Sequence, residues 1–302
     1  MTVEGLSERT FPSTERRMPL DCPPIAALPR WGHWLETPAL IAAMLAPGQL
    51  EVNLVAPFEC LSTRFQPGFG MAAFDSDKLM PYQAEPGGFD VVPQGSTYQS
   101  RETAGVCILL AYKQSIAQRM MAEYTDGTPI ALVPGQVPAS KKGASLAQAL
   151  QTFFIDVEHL GGALYLESLA ALIMGHVIRH RSTVSGQLKR VPDCLTPKQV
   201  KAVVAYVQAH LHSELRLEQM AHHVGLSPYY LAHAFKTTTG IAPYQYVLHC
   251  RLERAQRLLR ETQMALAAIA YEVGFGNQSH MTTVFCKRLN TTPSKYRRQF
   301  AK

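Results

Sequence analysis

The feature that most constrains this chain is a repeat inside its last third. Ala221, Val224, Gly225 and Leu226 return as Ala270, Val273, Gly274 and Phe275 at an offset of 49. Leu231, Phe235, Pro243 and Tyr246 return as Met281, Phe285, Pro293 and Tyr296 at an offset of 50, so the second copy carries one extra residue in its turn. Each copy reads as a short apolar helix, a glycine turn and a second helix, the outline of a helix-turn-helix. Gly225 and Gly274 stand where a left-handed residue reverses the chain. Ser227-Pro228 caps and opens one second helix, over 228–238, and Asn277 caps the other, over 278–289. Leu231, Ala234 and Phe235, like Met281 and Phe285, fall on the inward face.

The outward faces are polar. They carry Tyr229, Tyr230, His233, Lys236 and Thr237 in the first copy, and Gln278, Ser279, His280, Thr282 and Thr283 in the second. A helix entering a major groove needs donors and acceptors for base edges, with positive charge beside the groove for phosphate. Lys287, Arg288, Lys295, Arg297 and Arg298 follow the second polar face in that arrangement, and Lys236 plays the same part in the first copy. The repeat also sits in the basic part of the chain. From Lys189 to Lys302 there are 16 Lys and Arg against 6 Asp and Glu, whereas residues 1–188 hold 13 against 17. Such an asymmetry points to a basic module that meets a polyanion. A long helix from Tyr244 to Arg260 would join the two units rigidly, setting two readers about one DNA turn, roughly 34 Å, apart.

The rest of the chain has a different texture. Residues 1–35 hold Pro12, Pro19, Pro23, Pro24 and Pro29 and are expected to form an irregular arm. They lack the pattern of a signal peptide, and the apolar run Pro38 to Pro47 is too short for a membrane span. From Glu51 to Tyr112, short apolar stretches alternate with turns ("EVNLV", "FECLSTRF", "GFDVVPQG", "GVCILLAY"), as in a small β-sandwich or barrel. Two helices follow. "SLAQALQTFFIDVEHLGG" has one apolar stripe; "LYLESLAALIMGHVIRH" is apolar on more than one face. The second is expected to be buried on both sides or paired, either against its own β-layer or in a dimer contact. The polar stretch 183–195 reads as a linker, and Thr196-Pro197-Lys198-Gln199 as a capping box that starts the helical part. The six cysteines have no metal-binding or redox spacing, which fits a reducing cytoplasm.

"IAYEVGFGNQSHMTTVFCKRLNTTPSKYR" and, upstream, "MAHHVGLSPYYLAHAFKTTTGIAPYQYVLHCRLERAQRLL" together resemble the double helix-turn-helix of the AraC/XylS family of bacterial transcription regulators. The resemblance covers about residues 196–300. It implies a seven-helix DNA-binding domain whose base-facing positions fall on Tyr229, Ala232 and His233, and on Gln278, Ser279, Thr282 and Thr283. Ala232 has no group that could bond a base edge, Thr283 stands where the family often has Arg, and Cys286 stands where it usually has Lys. The N-terminal half is similar to the family's sensor domains in outline, a cupin-like β-fold followed by a helical pair. Tyr98 stands where such a fold often has a metal-binding His, and no His occurs between His33 and His159. No metal or other cofactor is therefore expected. Tyr82, Phe89, Tyr98 and Arg101 are the candidate lining residues of an effector site.

The expected fold class is α+β, with an arm (1–35), a cupin-like sandwich or barrel with a helical pair (36–182), a linker (183–195) and an all-α domain of seven helices (196–302). The expected function is sequence-specific binding of double-stranded DNA by a cytoplasmic, non-enzymatic transcription activator. Its expected partners are RNA polymerase, a small effector and a second copy of the chain, with no membrane. The alternative is an enzyme fused to the same DNA-binding module.

Overall fold

The computed structural model describes residues 30–45, 47–113, 117–118, 121–122, 130–155, 162–183 and 194–300. Among the described residues, ten strands come first: β1 (Arg30–Glu36), β2 (Leu40–Leu45), β3 (Gly48–Val55), β4 (Glu59–Arg64), β5 (Gly68–Phe74), β6 (Met80–Ala84), β7 (Phe89–Val92), β8 (Thr97–Ala104), β9 (Cys107–Tyr112) and β10 (Gly135–Val137). They form two antiparallel sheets, one ordered β1-β2-β9-β4-β7-β10 and the other β3-β8-β5-β6.

The central strands explain the packing. Every residue of β2 and β9 is buried. Successive side chains of a strand point to opposite faces, so Ile41, Ala43 and Leu45 enter the core between the sheets. Leu40, Ala42 and Met44 enter a second core, against the helices. A sheet covered on both faces selects continuous apolar strands. That corrects the sequence expectation in two places. The strands begin before Glu51, with Leu40–Leu45 of the apolar run forming the central strand β2, and the last residues of the expected arm, 30–35, lie in β1. Residues 1–29 of the arm and 184–193 of the expected linker lie outside the described residues.

The helices are α1 (Lys141–Ile155), α2 (Gly162–His180), α3 (Pro197–Ala209), α4 (Leu217–His223), α5 (Pro228–Thr239), α6 (Pro243–Glu261), α7 (Leu266–Glu272), α8 (Gln278–Leu289) and α9 (Pro293–Phe300). The last seven form the all-α part. Residues 156–161, the end of the first expected helix, lie outside the described residues.

Helix α2 lies between layers. On one side the Tyr112 hydroxyl donates to the Ala170 carbonyl at 2.8 Å, and Phe89 meets His176 edge-on. On the other side α2 packs against α5, α6 and α4. Its second apolar face, which in sequence suited either its own β-layer or a dimer, is thus occupied by the first helix-turn-helix. By length and composition this helix could cross a membrane, but it sits in the protein core. One continuous apolar core runs from the six-stranded sheet through α1 and α2 into α3, α4, α5 and the first part of α6. The rest of α6 joins α7 and α8 in a separate core.

Candidate nucleic-acid interface

Local chemistry sets the start of each helix. Thr196 Oγ1 accepts from Gln199 N at 3.3 Å and Gln199 Oε1 accepts from Thr196 N at 3.0 Å, closing the capping box of α3. Ser227 Oγ accepts from Tyr230 N at 2.9 Å and Asn277 Oδ1 accepts from His280 N at 2.8 Å, which start α5 and α8. Gly225 and Gly274 are both left-handed, with φ of 66° and 85°. These turns present α5 and α8 as the second helices of two helix-turn-helix units, joined by the 19 residues of α6.

The inward faces are alike. Leu231, Ala234 and Phe235 are buried in the first unit, and Met281, Val284 and Phe285 in the second. The outward faces differ. On α8, Gln278 and Ser279 are exposed and Thr282 and Thr283 half-buried. His280 is half-buried and its ring meets Phe275 edge-on at 5.2 Å, so it stands aside from the other four. On α5, Tyr229 is only 2% exposed and Ala232 1%, while His233 is half-buried with its ring parallel to that of Tyr229. Tyr230 is half-buried and its hydroxyl donates to the Cys194 carbonyl at 3.1 Å.

The flanking cations Lys236, Lys287, Arg288, Lys295 and Arg298 are exposed. Arg297 is half-buried and donates to the Met264 carbonyl, tying α9 to the segment before α7. An open cleft of about 690 Å³ lies beside the start of α8, lined in part by Glu214, Arg251, Tyr271, Asn277 and Ser279. Tyr271, 83% exposed, escaped the sequence reading; its only signal was a large aromatic on the polar side of a short helix.

In the sandwich, the four candidate effector residues separate. Tyr82 and Tyr98 enter the core between the sheets. Phe89 faces the helices, and Arg101 is 71% exposed and pairs with Glu51. The side chains gathered around Tyr82 are ones the sequence did not single out. Arg64 pairs with both Asp90 and Glu102, all three buried. The Tyr82 hydroxyl donates to Asp90 Oδ2 at 2.6 Å. Burial raises the Glu102 pKa, and the Arg64 charge opposes that shift.

Residues 220–299 match a family described as a helix-turn-helix domain. The chain is 39% identical over 100 residues to the regulatory protein PocR of Salmonella typhimurium, covering 33% of each chain. It is 31% identical over 172 residues to an AraC-like transcription regulator of Streptomyces antibioticus, covering 54% of this chain and 55% of that one. A solved transcriptional regulator from Chromobacterium violaceum, of the AraC-type DNA-binding class, is 30% identical. It covers 35% of this chain and 94% of that one with a TM-score of 0.34. The alignments to the two curated relatives span between a third and just over half of each relative's length. With its glycine turns, caps and paired second helices in register with that match, the chain from Met220 to Gln299 is a helix-turn-helix domain, similar in sequence to AraC-like transcription regulators.

Proposed function

We propose that the chain is a cytoplasmic transcription regulator, an activator, that binds double-stranded DNA by sequence. The observation that carries this reading is the face of α8. Gln278 and Ser279 are exposed, Thr282 and Thr283 share their side of the helix, and exposed Lys287, Arg288, Lys295 and Arg298 follow. Amide and hydroxyl groups can read base edges, and the cations beside them can hold phosphate. RNA polymerase is the partner an activator meets at a promoter, and a second copy of the chain would double the half-sites.

An effector, if the sandwich takes one, would find polar partners at Arg64, Asp90, Glu102, Tyr82 and Tyr98. Arg64 Nε and Glu102 Oε2 are buried without hydrogen-bond partners there. The enzymatic alternative gains no support from Cys107, whose thiol is pushed up to about 11 by burial, the wrong direction for a nucleophile.

The test is binding-site selection from random duplex DNA with the full chain, followed by two variants. Gln278→Ala should relax preference at one base position, by about 1–3 kcal/mol of discrimination. Arg298→Ala should weaken binding to all sequences and reduce the log–log salt slope by about 1. Selection that yields no motif, or identical effects of the two substitutions, would refute the reading.

A further inference from the structure

The two reading helices provide an internal comparison. By the repeat, Tyr229, Ala232 and His233 of α5 are equivalent to Ser279, Thr282 and Thr283 of α8. Ser279 is exposed and Thr282 half-buried, whereas Tyr229 and Ala232 are buried. The helix-turn-helix core cannot account for that difference. Residues on a helix advance about 100° each, so Tyr229 and Ala232 lie roughly 160° and 100° around the axis from Leu231. Something outside the unit must cover them.

That cover is α2. It packs on α5 as closely as α4 does. Tyr229 and Ala232 belong to the same apolar core as Ala170, Ala171 and Met174 of α2. A small hollow lined by Glu167, Ala170 and Ala171 on one side and Leu217 and Pro228 on the other marks the seam. The first turns of a recognition helix are the part that meets base edges, and the hollow at the α2 seam is lined by Pro228, the first residue of α5. Lys236, nearer the other end of α5, is exposed.

Two further residues of α2 fasten the cover. Glu167, buried in α2, accepts from Leu217 N at 3.2 Å and lies 3.6 Å from Arg216 Nη1. Helix α4 has no side-chain cap of its own, so the first unit borrows this one from the N-terminal half. Tyr165 of α2 stacks on Tyr244 of α6, with ring centroids 3.9 Å apart.

We infer that α2 masks the first reader, so that this conformation offers DNA only α8, and that releasing α2 from α5 adds a second box. The inference rests on the proposed DNA-reading role of the two helices. It makes α2, which the Tyr112 hydroxyl ties to the six-stranded sheet, the part through which a change in the sandwich reaches DNA. An event there would favour release only by stabilising the open state more than the closed one.

The experiment uses the full chain as wild type, Glu167→Ala and Tyr165→Ala. Each is put through binding-site selection and then footprinting on the selected DNA, with circular dichroism as the check on folding. Wild type should protect one box that depends on Gln278. Both variants should protect a second box about a helical turn away and bind two-box DNA on the order of tenfold more tightly. Adding His233→Ala should abolish that gain. Tyr165→Ala does not touch the cap of α4, so it decides the matter if Glu167→Ala fails to fold. One box in wild type and both folded variants would overturn the mask and make the α2–α5 contact a permanent joint. Two boxes in wild type, with the second sensitive to His233→Ala, would overturn it in the other direction. A wild type without any motif would bring down the DNA-reading proposal itself, and the mask with it.

Discussion

Arg64 shows how much one side chain organises in the sandwich. It is buried between two carboxylates, Asp90 and Glu102, from different sheets. Breaking such a group by removing one partner leaves uncompensated buried charge, which costs about 3–5 kcal/mol. Arg64→Met should therefore lower unfolding stability by that amount in urea titrations, and adding Asp90→Asn and Glu102→Gln should restore much of it. A full loss that persists in the triple variant would show that Arg64 acts through packing rather than charge. The cluster was hidden in the sequence for two reasons. Its members lie far apart along the chain, and a Glu in "TYQSRETA" looks like surface. The alternation was nonetheless there to be used. Tyr98, Ser100, Glu102 and Ala104 are the buried positions of β8, so Tyr98 and Arg101, three apart, could never face the same side of one strand.

At the scale of elements, the two glycine turns make a matched pair with unequal surroundings. A Cβ on Gly225 would meet nothing within 4 Å, whereas one on Gly274 would lie 2.0 Å from the Leu211 carbonyl oxygen and 3.0 Å from Arg251 Nε. Gly225→Ala should cost only the left-handed backbone penalty, about 1–2 kcal/mol. Gly274→Ala should cost more. It must displace Leu211, whose carbonyl accepts from Arg251 at 3.2 Å, and shift α8 with it. Thermal unfolding checks the order, and equal losses would contradict it. These turns and the caps at Thr196, Ser227 and Asn277 were legible because their chemistry is complete within four residues. Strand β2 was not, because a short continuous apolar run fits a buried strand or a buried helix equally well until its neighbours are known. The burial of Tyr229 was likewise beyond the repeat. Spacing assigns a residue to the outward face of its own unit, but not to what the remote helix α2 lays upon that face.

In the whole molecule, the division of the apolar interior crosses the expected domain boundary. The first helix-turn-helix shares its core with the helix-facing side of the six-stranded sheet and α1–α2, and the second has a core of its own. Cooperative opening follows such contiguous cores. In hydrogen exchange under mild denaturant, amides of α4 and α5 should open together with those of α2, while α7 and α8 open as a separate unit at lower free energy. Joint opening of α5 with α8, independent of α2, would instead mean that the DNA-binding part behaves as one body. The opposite-sign charges of the two halves suggested a division of labour. They could not foretell that one helix-turn-helix would be built into the N-terminal half.

Helix α6 belongs to both interiors. Val247 and Cys250 pack into the larger core, and Leu252, Ala255 and Leu259 into the smaller one. Its 19 residues, about 28 Å at the usual rise per residue, therefore fix the rotational phase between the two units as well as their distance. One residue inserted midway would swing the second unit by about 100°, more than any loop could absorb without parting one of the cores. On the proposed reading, a descendant of this chain can exchange side chains on α5 and α8 and so change what it recognises. It can also lengthen its surface loops. The length of α6 is the one dimension that such divergence must inherit unaltered.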